Sequence, residues 1–251
     1  AIKYLNECAD VDQRTSNTEE LAWDYFVIGR VYRKAGDCGA SIDYYQKGLK
    51  AIKKVSGKHS GDKAEFLIGL GDSYKKNDEY DKALDSYLQA LELYKEKQSD
   101  PTWIYIRLAR VYDKMGEDGT AEEYYHTAAL SGNADNYTRG VIRFNLGILY
   151  QKMGRGQEAF TLYQEALELI NRDGGYEAAE SSVRSYLAIA YADTEHDLNN
   201  AILYAVSACR IREKLASPHL EDQKSLEEFK DQLKGYYQES TGDRTEEGFE
   251  D

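Results

Sequence analysis

Covalent or metal chemistry needs histidine, cysteine, serine or carboxylate side chains at fixed spacings, and this sequence of 251 residues scatters them. His59, His126, His196 and His219 stand far apart, with no HExxH pair and no cysteine–histidine arrangement. Cys8, Cys38 and Cys209 are an odd set without zinc-ligand spacing, which argues against a disulfide framework and for a reducing compartment. Gly154-Arg155-Gly156 reads as a turn between two helices, not as the strand-to-helix turn that cradles a phosphate. No enzyme activity, metal or cofactor is expected. The notable residues are of another kind. Arg30 and Arg33 follow Trp23, and Arg107 and Arg110 follow Trp103, the only other tryptophan. Guanidinium groups grip carboxylates through paired hydrogen bonds, and tryptophan and arginine are the residues most enriched in binding hot spots. The chemistry these residues could do is non-covalent recognition.

These residues recur because the segments that carry them recur. Five segments place tyrosine three residues after a small residue: Ile28–Tyr32, Leu70–Tyr74, Leu108–Tyr112, Leu146–Tyr150 and Leu187–Tyr191. Their small residues are Gly29, Gly71, Ala109, Gly147 and Ala188. A second pattern restarts in each copy at Ser41, Ala83, Ala121, Ala159 and Ala201, and the fifth copy has Ala205 where the others have tyrosine. Apolar residues at i, i+3, i+4 and i+7 make each half a helix with one buried face. Turns at Gly36, Asn77-Asp78, Gly116 and Gly154 separate the halves. The small residue lets paired helices approach, and the tyrosines supply buried area. Nine tyrosines of the 22 are accordingly assigned to the core: Tyr32, Tyr45, Tyr74, Tyr87, Tyr112, Tyr125, Tyr150, Tyr163 and Tyr191.

Composition sets the outer limits. With 41% hydrophobic residues and 2 prolines the chain suits a helical protein with a core. Its longest apolar runs are too short to span a membrane, and no export signal is visible. A net charge of −13 argues against nucleic acid and acidic membrane surfaces as partners. The location expected is cytoplasmic.

The repeat resembles the tetratricopeptide repeat family across roughly residues 22 to 216. Every copy lacks the family's closing proline, and the period exceeds the usual length of about 34 residues. In this the repeats are similar to the lengthened ones of kinesin light chains, Pins-type polarity adaptors and bacterial peptide-pheromone receptors. The resemblance implies an all-α fold, a right-handed superhelical solenoid of antiparallel helix pairs. The expected layout is a second helix of a preceding repeat over 1–21, then repeats over 22–63, 64–101, 102–139, 140–180 and 181–217. A capping helix over 218–238, with Leu220, Leu226, Phe229, Leu233 and Tyr236 in one stripe, and a disordered acidic tail over 239–251 complete it. The missing first helix and initiator methionine suggest a fragment of a longer protein.

At about 100° per residue, positions six and three before the small residue and one after it oppose the face that meets the paired helix. In the family that opposing face lines the concave surface. It holds Trp23, Phe26 and Arg30, then Glu65, Ile68 and Asp72, then Trp103, Ile106 and Arg110. Val141, Phe144 and Ile148, then Ser182, Ser185 and Ile189 follow, with Arg33, Arg107 and Asn145 alongside. The expected peptide groove comprises Trp23, Phe26, Arg30, Arg33, Ile68, Asp72, Trp103, Ile106, Arg107, Arg110, Phe144, Asn145 and Ile148. Packing between neighbouring first helices is the competing explanation for its apolar members. The four arginines suit an acidic peptide or protein segment. Phe26 stands where the family's chaperone-tail clamp has lysine, so no such clamp is expected. The expected function is a protein-interaction module or scaffold. The alternatives are a peptide-sensing domain of a larger bacterial regulator and an array that self-associates through its N-terminal end.

Overall fold

The computed structural model describes residues 2–15, 17–53, 60–131 and 134–215, with 231 and 235. Every regular element among them is an α-helix. Helix α1 (Ile2–Thr15) precedes five antiparallel hairpins. These are α2 (Thr18–Ala35) with α3 (Cys38–Ile52), α4 (Ser60–Lys76) with α5 (Tyr80–Glu96), and α6 (Thr102–Met115) with α7 (Asp118–Leu130). Then come α8 (Asn136–Lys152) with α9 (Gly156–Asp173), and α10 (Glu177–Asp193) with α11 (Leu198–Leu215). The capping helix and acidic tail expected over 218–251 lie, apart from residues 231 and 235, outside the described residues. Among the described residues no helix is long and apolar enough to cross a membrane.

The chain divides into two compact units, Ala1–Ser131 and Gly132–Asp251. In the first, α1 packs on α2, α3 on α4 and α5 on α6; in the second, α9 packs on α10. Both units use one hairpin frame. The tyrosine of each second helix, Tyr45, Tyr87, Tyr125 or Tyr163, is almost wholly buried. A Cβ built on Gly71 would lie 2.6 Å from the ring of Tyr87, and one on Gly147 would lie 2.6 Å from that of Tyr163. At Gly71 and Gly147 the small residue is therefore the seat of the partner helix's ring, and a side chain there must displace it. In the fifth hairpin Ala205 replaces the tyrosine and packs in a small cluster with Ala188 and Ala208.

The hairpin turns follow from backbone accounting. Gly36, Gly116 and Gly154 adopt φ of +87°, +80° and +77°. The next residue's N–H then reaches back to the helix: Asp37 to the Tyr32 carbonyl, Glu117 to that of Tyr112 and Arg155 to that of Tyr150. These bonds satisfy carbonyls the helix end leaves open. The second hairpin makes the same turn with Asp78 at φ +58°.

One part of the core reading changes. Tyr32, Tyr112 and Tyr191 are only half-buried. Each stacks at the hairpin edge on a tyrosine of the second helix, Tyr44, Tyr124 or Tyr204, with ring centroids 5.5, 5.4 and 5.3 Å apart. Aromatic stacking lets a phenol bury its faces while its hydroxyl stays near water, which is why this position tolerates partial exposure.

Candidate functional site

Three first helices of the first unit, α2, α4 and α6, enclose a cleft of about 380 Å³. Its walls are Arg33 from α2, Asp72, Lys75 and Lys76 from α4, and Trp103, Ile106, Arg107 and Arg110 from α6. These helices bring their side chains together because the frame repeats. Arg33 and Lys75 each lie four residues after their small residue, and Asp72 and Arg110 one residue after theirs.

Asp72 organises the cleft. Its side chain is 14% exposed. The Tyr87 hydroxyl donates to its Oδ1 at 2.7 Å and the Arg107 Nε to the same oxygen at 3.2 Å. Arg33 Nη1 stands 3.4 Å from the other oxygen, Oδ2. Arg107 also donates through Nη1 to the Trp103 carbonyl at 3.1 Å. A half-buried carboxylate so surrounded holds two guanidinium planes in fixed attitudes. Burial, and then the Asp72 carboxylate, push the Tyr87 phenol well above its ordinary range, so it remains a proton donor.

Positive charge dominates what is left. Five cationic side chains face one carboxylate inside the cleft. Burial pushes the Lys75 ammonium below its usual range; Asp72 opposes this, while Arg110, Arg107 and Arg33 add to it. The Lys76 ammonium is turned to the Arg33 carbonyl at 3.2 Å. The Arg33 Nε is buried and has no hydrogen-bond partner among the described residues. Trp103, 40% exposed, supplies an apolar wall. Such a site can bind an anion attached to an apolar body.

Six of the thirteen residues expected in a groove line this cleft: Arg33, Asp72, Trp103, Ile106, Arg107 and Arg110. Ile106 needs correction as an anchor, because it is 0% exposed and belongs to the floor. Ile68 is likewise buried in the core, with Phe66 and Leu67 beside it. Phe26 is half-buried, 5.6 Å from the ring of Tyr45 and 5.0 Å from that of Phe66. These three pack between helices, the competing explanation for the apolar positions. Trp23 remains 38% exposed, edge-on to Phe26 at 5.3 Å. Arg30 is exposed on α2.

Phe144, Asn145 and Ile148 belong to the second unit. Phe144 wedges between Tyr163 at 5.9 Å and Tyr186 at 5.2 Å. Asn145 is buried and donates to the Val141 carbonyl at 2.5 Å, so its amide serves its own helix. Ile148 is half-buried. Lys75 and Lys76 were missed by the sequence reading. Applying the Arg33 offset to the second repeat would have found Lys75.

A family model described as tetratricopeptide repeat matches residues 35–96, 62–129 and 138–214. Protein KINESIN LIGHT CHAIN-RELATED 2 of Arabidopsis thaliana is 24% identical over 205 residues, which are 75% of this chain and 30% of that protein. The chain thus spans less than a third of that relative. Among solved structures, BtubC (BKLC) from P. vanneervenii superposes with a TM-score of 0.70 at 21% identity, covering 87% of this chain and 92% of that one. A chain of the APC/C hetero-tetramer Cut9-Hcn1 gives 0.68 at 15% identity, covering 96% of this chain and 41% of its own. These structural likenesses show a shared fold.

Proposed function

Since the chain belongs to the tetratricopeptide repeat family, whose arrays generally mediate protein–protein interaction, we propose that it is an interaction module holding an acidic segment of a partner polypeptide in the α2–α4–α6 cleft. The observation that carries this reading is the pair of arginines braced on Asp72 beside an exposed tryptophan. Ordering two long side chains before a ligand arrives lowers the entropy lost on binding. The carboxylate brace also prevents two close guanidinium groups from driving each other into solvent.

Tryptophan fluorescence tests the proposal in a Trp23→Phe background, where Trp103 is the sole reporter. A pool of acidic peptides should give a saturable change, and Arg107→Ala should weaken it by about tenfold or more. Acidic peptides that bind equally well to the Arg107→Ala protein would place recognition elsewhere.

Self-association is a second reading, favoured by one feature of α1. Tyr4, Cys8 and Val11 are all exposed at a spacing that puts them on one helix face. A monomer mass that does not change with concentration in sedimentation would remove it.

A further inference from the structure

The charge and shape of the cleft say more than that its ligand is acidic. Resting on the reading above, we infer that the α2–α4–α6 cleft receives a phosphorylated side chain of the partner polypeptide.

Charge balance comes first. The cleft holds Arg33, Lys75, Lys76, Arg107 and Arg110. Against them stand Asp72, inside, and Asp113, which acts with Arg110 around the Tyr125 hydroxyl. Five cations and two carboxylates leave three positive charges in excess. One glutamate or aspartate would compensate one of them. A phosphoryl group carries a charge of about −1.5 to −2 at neutral pH and compensates most of two.

Geometry agrees with charge. Asp72 takes one edge of each guanidinium, Arg33 through Nη1 on Oδ2 and Arg107 through Nε on Oδ1. Lys75 stands one helical turn beyond Asp72 on α4. Three cations on three different helical positions suit the three oxygens of a phosphoryl group better than the two coplanar oxygens of a carboxylate. Arginine forks in particular bind phosphate bidentately. At about 380 Å³ the cleft has room for a phosphorylated side chain and adjoining backbone, with Trp103 as the apolar wall.

Burial, and with it Arg110, Arg107 and Arg33, holds the Lys75 ammonium below its ordinary range, while Asp72 opposes them. An anion bound beside it would raise it again. A nucleic-acid strand offers the same phosphate chemistry, but a backbone of many phosphates would have to cross a protein of net charge −13.

The experiment uses the full chain with Trp23→Phe, and three degenerate peptide pools that differ only at a central residue: phosphoserine, glutamate or serine. Trp103 fluorescence follows each titration. Near pH 7.5 the phosphoserine pool should bind at least about tenfold tighter than the glutamate pool. Lowering the pH through the second phosphate pKa of about 6 should erode that preference several-fold, because the free ligand takes up a proton the cleft disfavours. Glutamate, with a pKa of about 4.3, should scarcely change over the same interval. Lys75→Met and Arg107→Ala should each abolish the preference, with helical circular dichroism confirming that both variants fold.

Equal affinity for the phosphoserine and glutamate pools overturns the phosphate inference and leaves the acidic-segment reading standing. Equal binding of the serine pool, or no binding of any pool, overturns both. Inorganic phosphate that competes as strongly as the phosphoserine pool would make this a free-anion site. A short oligothymidylate that binds more tightly than the pool and depends on Lys75 would make it a nucleic-acid site. Either of these also overturns the inference.

Discussion

The two units share a frame and differ in what it displays. One residue after the small position stand Arg30, Asp72 and Arg110 in the first unit, but Ile148 and Ile189 in the second. Four residues after it stand Arg33, Lys75 and Asp113 in the first, but Gln151 and Ala192 in the second. In the second and fourth hairpins, one in each unit, the second-helix tyrosine works alike: its ring fills the space under Gly71 or Gly147, and its hydroxyl reaches the first helix. Tyr87 donates to Asp72 at 2.7 Å, and Tyr163 donates to Gln151 at 2.7 Å. The comparison separates two jobs. Packing fixes where a side chain is presented, and the residue placed there decides whether the surface attracts an anion.

The largest expected effect tests the shared frame. Gly71→Val and Gly147→Val should each destabilise the chain by about 2–3 kcal/mol, since a Cβ already collides with a buried ring. Urea unfolding measures this. A mild effect at one site and a severe one at the other would mean that the units are built differently. The next tests the difference in display. Arg107→Ala should lower acidic-peptide affinity by about tenfold or more and stability by less than about 1 kcal/mol. Asn145→Ala, at the matching offset in the second unit, should leave peptide affinity unchanged by calorimetry, because its amide is engaged with the Val141 carbonyl.

The sequence disclosed the frame more fully than the cleft. A small residue followed three places later by tyrosine is a packing requirement, met by Gly71 against Tyr87 and Gly147 against Tyr163, so the repeat could be read directly. The cleft was legible where one helix sufficed: helical offsets put Asp72, Arg107 and Arg110 on one side. It was not legible where the answer depends on how closely neighbouring hairpins approach. Built Cβ atoms on Gly48 and Gly69 would overlap the rings of Phe66 and Tyr45 at 2.0 and 2.6 Å. Helix α4 therefore lies deep against α3, and Ile68, apolar and correctly spaced, is drawn into the core. The target of the Tyr87 hydroxyl was hidden for a related reason, because it lies on α4, the other helix of the hairpin, where helical offsets within α5 do not reach.

That hydroxyl supplies a subtler contrast. Tyr87→Phe removes a hydrogen bond to a charged carboxylate and should cost about 1.5–3 kcal/mol. It should also weaken peptide binding several-fold by loosening the brace on Arg33 and Arg107. Tyr163→Phe removes a bond to a neutral amide and should cost only about 0.5–1.5 kcal/mol, with no change in binding. Parallel chemical denaturation and peptide titration of the two variants separate the outcomes. Equal loss of binding in both would remove Asp72 from its organising role.

The smallest effect sharpens the comparison within the first unit. Its second hairpin turns at Asp78, φ +58°, where the first and third turn at Gly36 and Gly116. The hydrogen bonds are the same, with the Glu79 N–H reaching the Tyr74 carbonyl at 2.9 Å. Only the Cβ differs, and a left-handed backbone costs an L-residue with a side chain roughly 1 kcal/mol. Asp78→Gly relieves that strain. It also frees the unfolded chain and removes the 2.6 Å hydrogen bond from the Tyr80 hydroxyl to the Asp78 carboxylate. The terms oppose one another, so the net gain should be no more than about 0.5 kcal/mol. A second readout does not rely on that balance. The hydrogen bond to Asp78, more than any other cause, holds the Tyr80 phenol above its usual pKa, so the variant should ionise earlier in an ultraviolet titration. A Tyr80 titration that does not move would show that the side chain of Asp78 takes no part in the turn, leaving backbone strain as its whole effect.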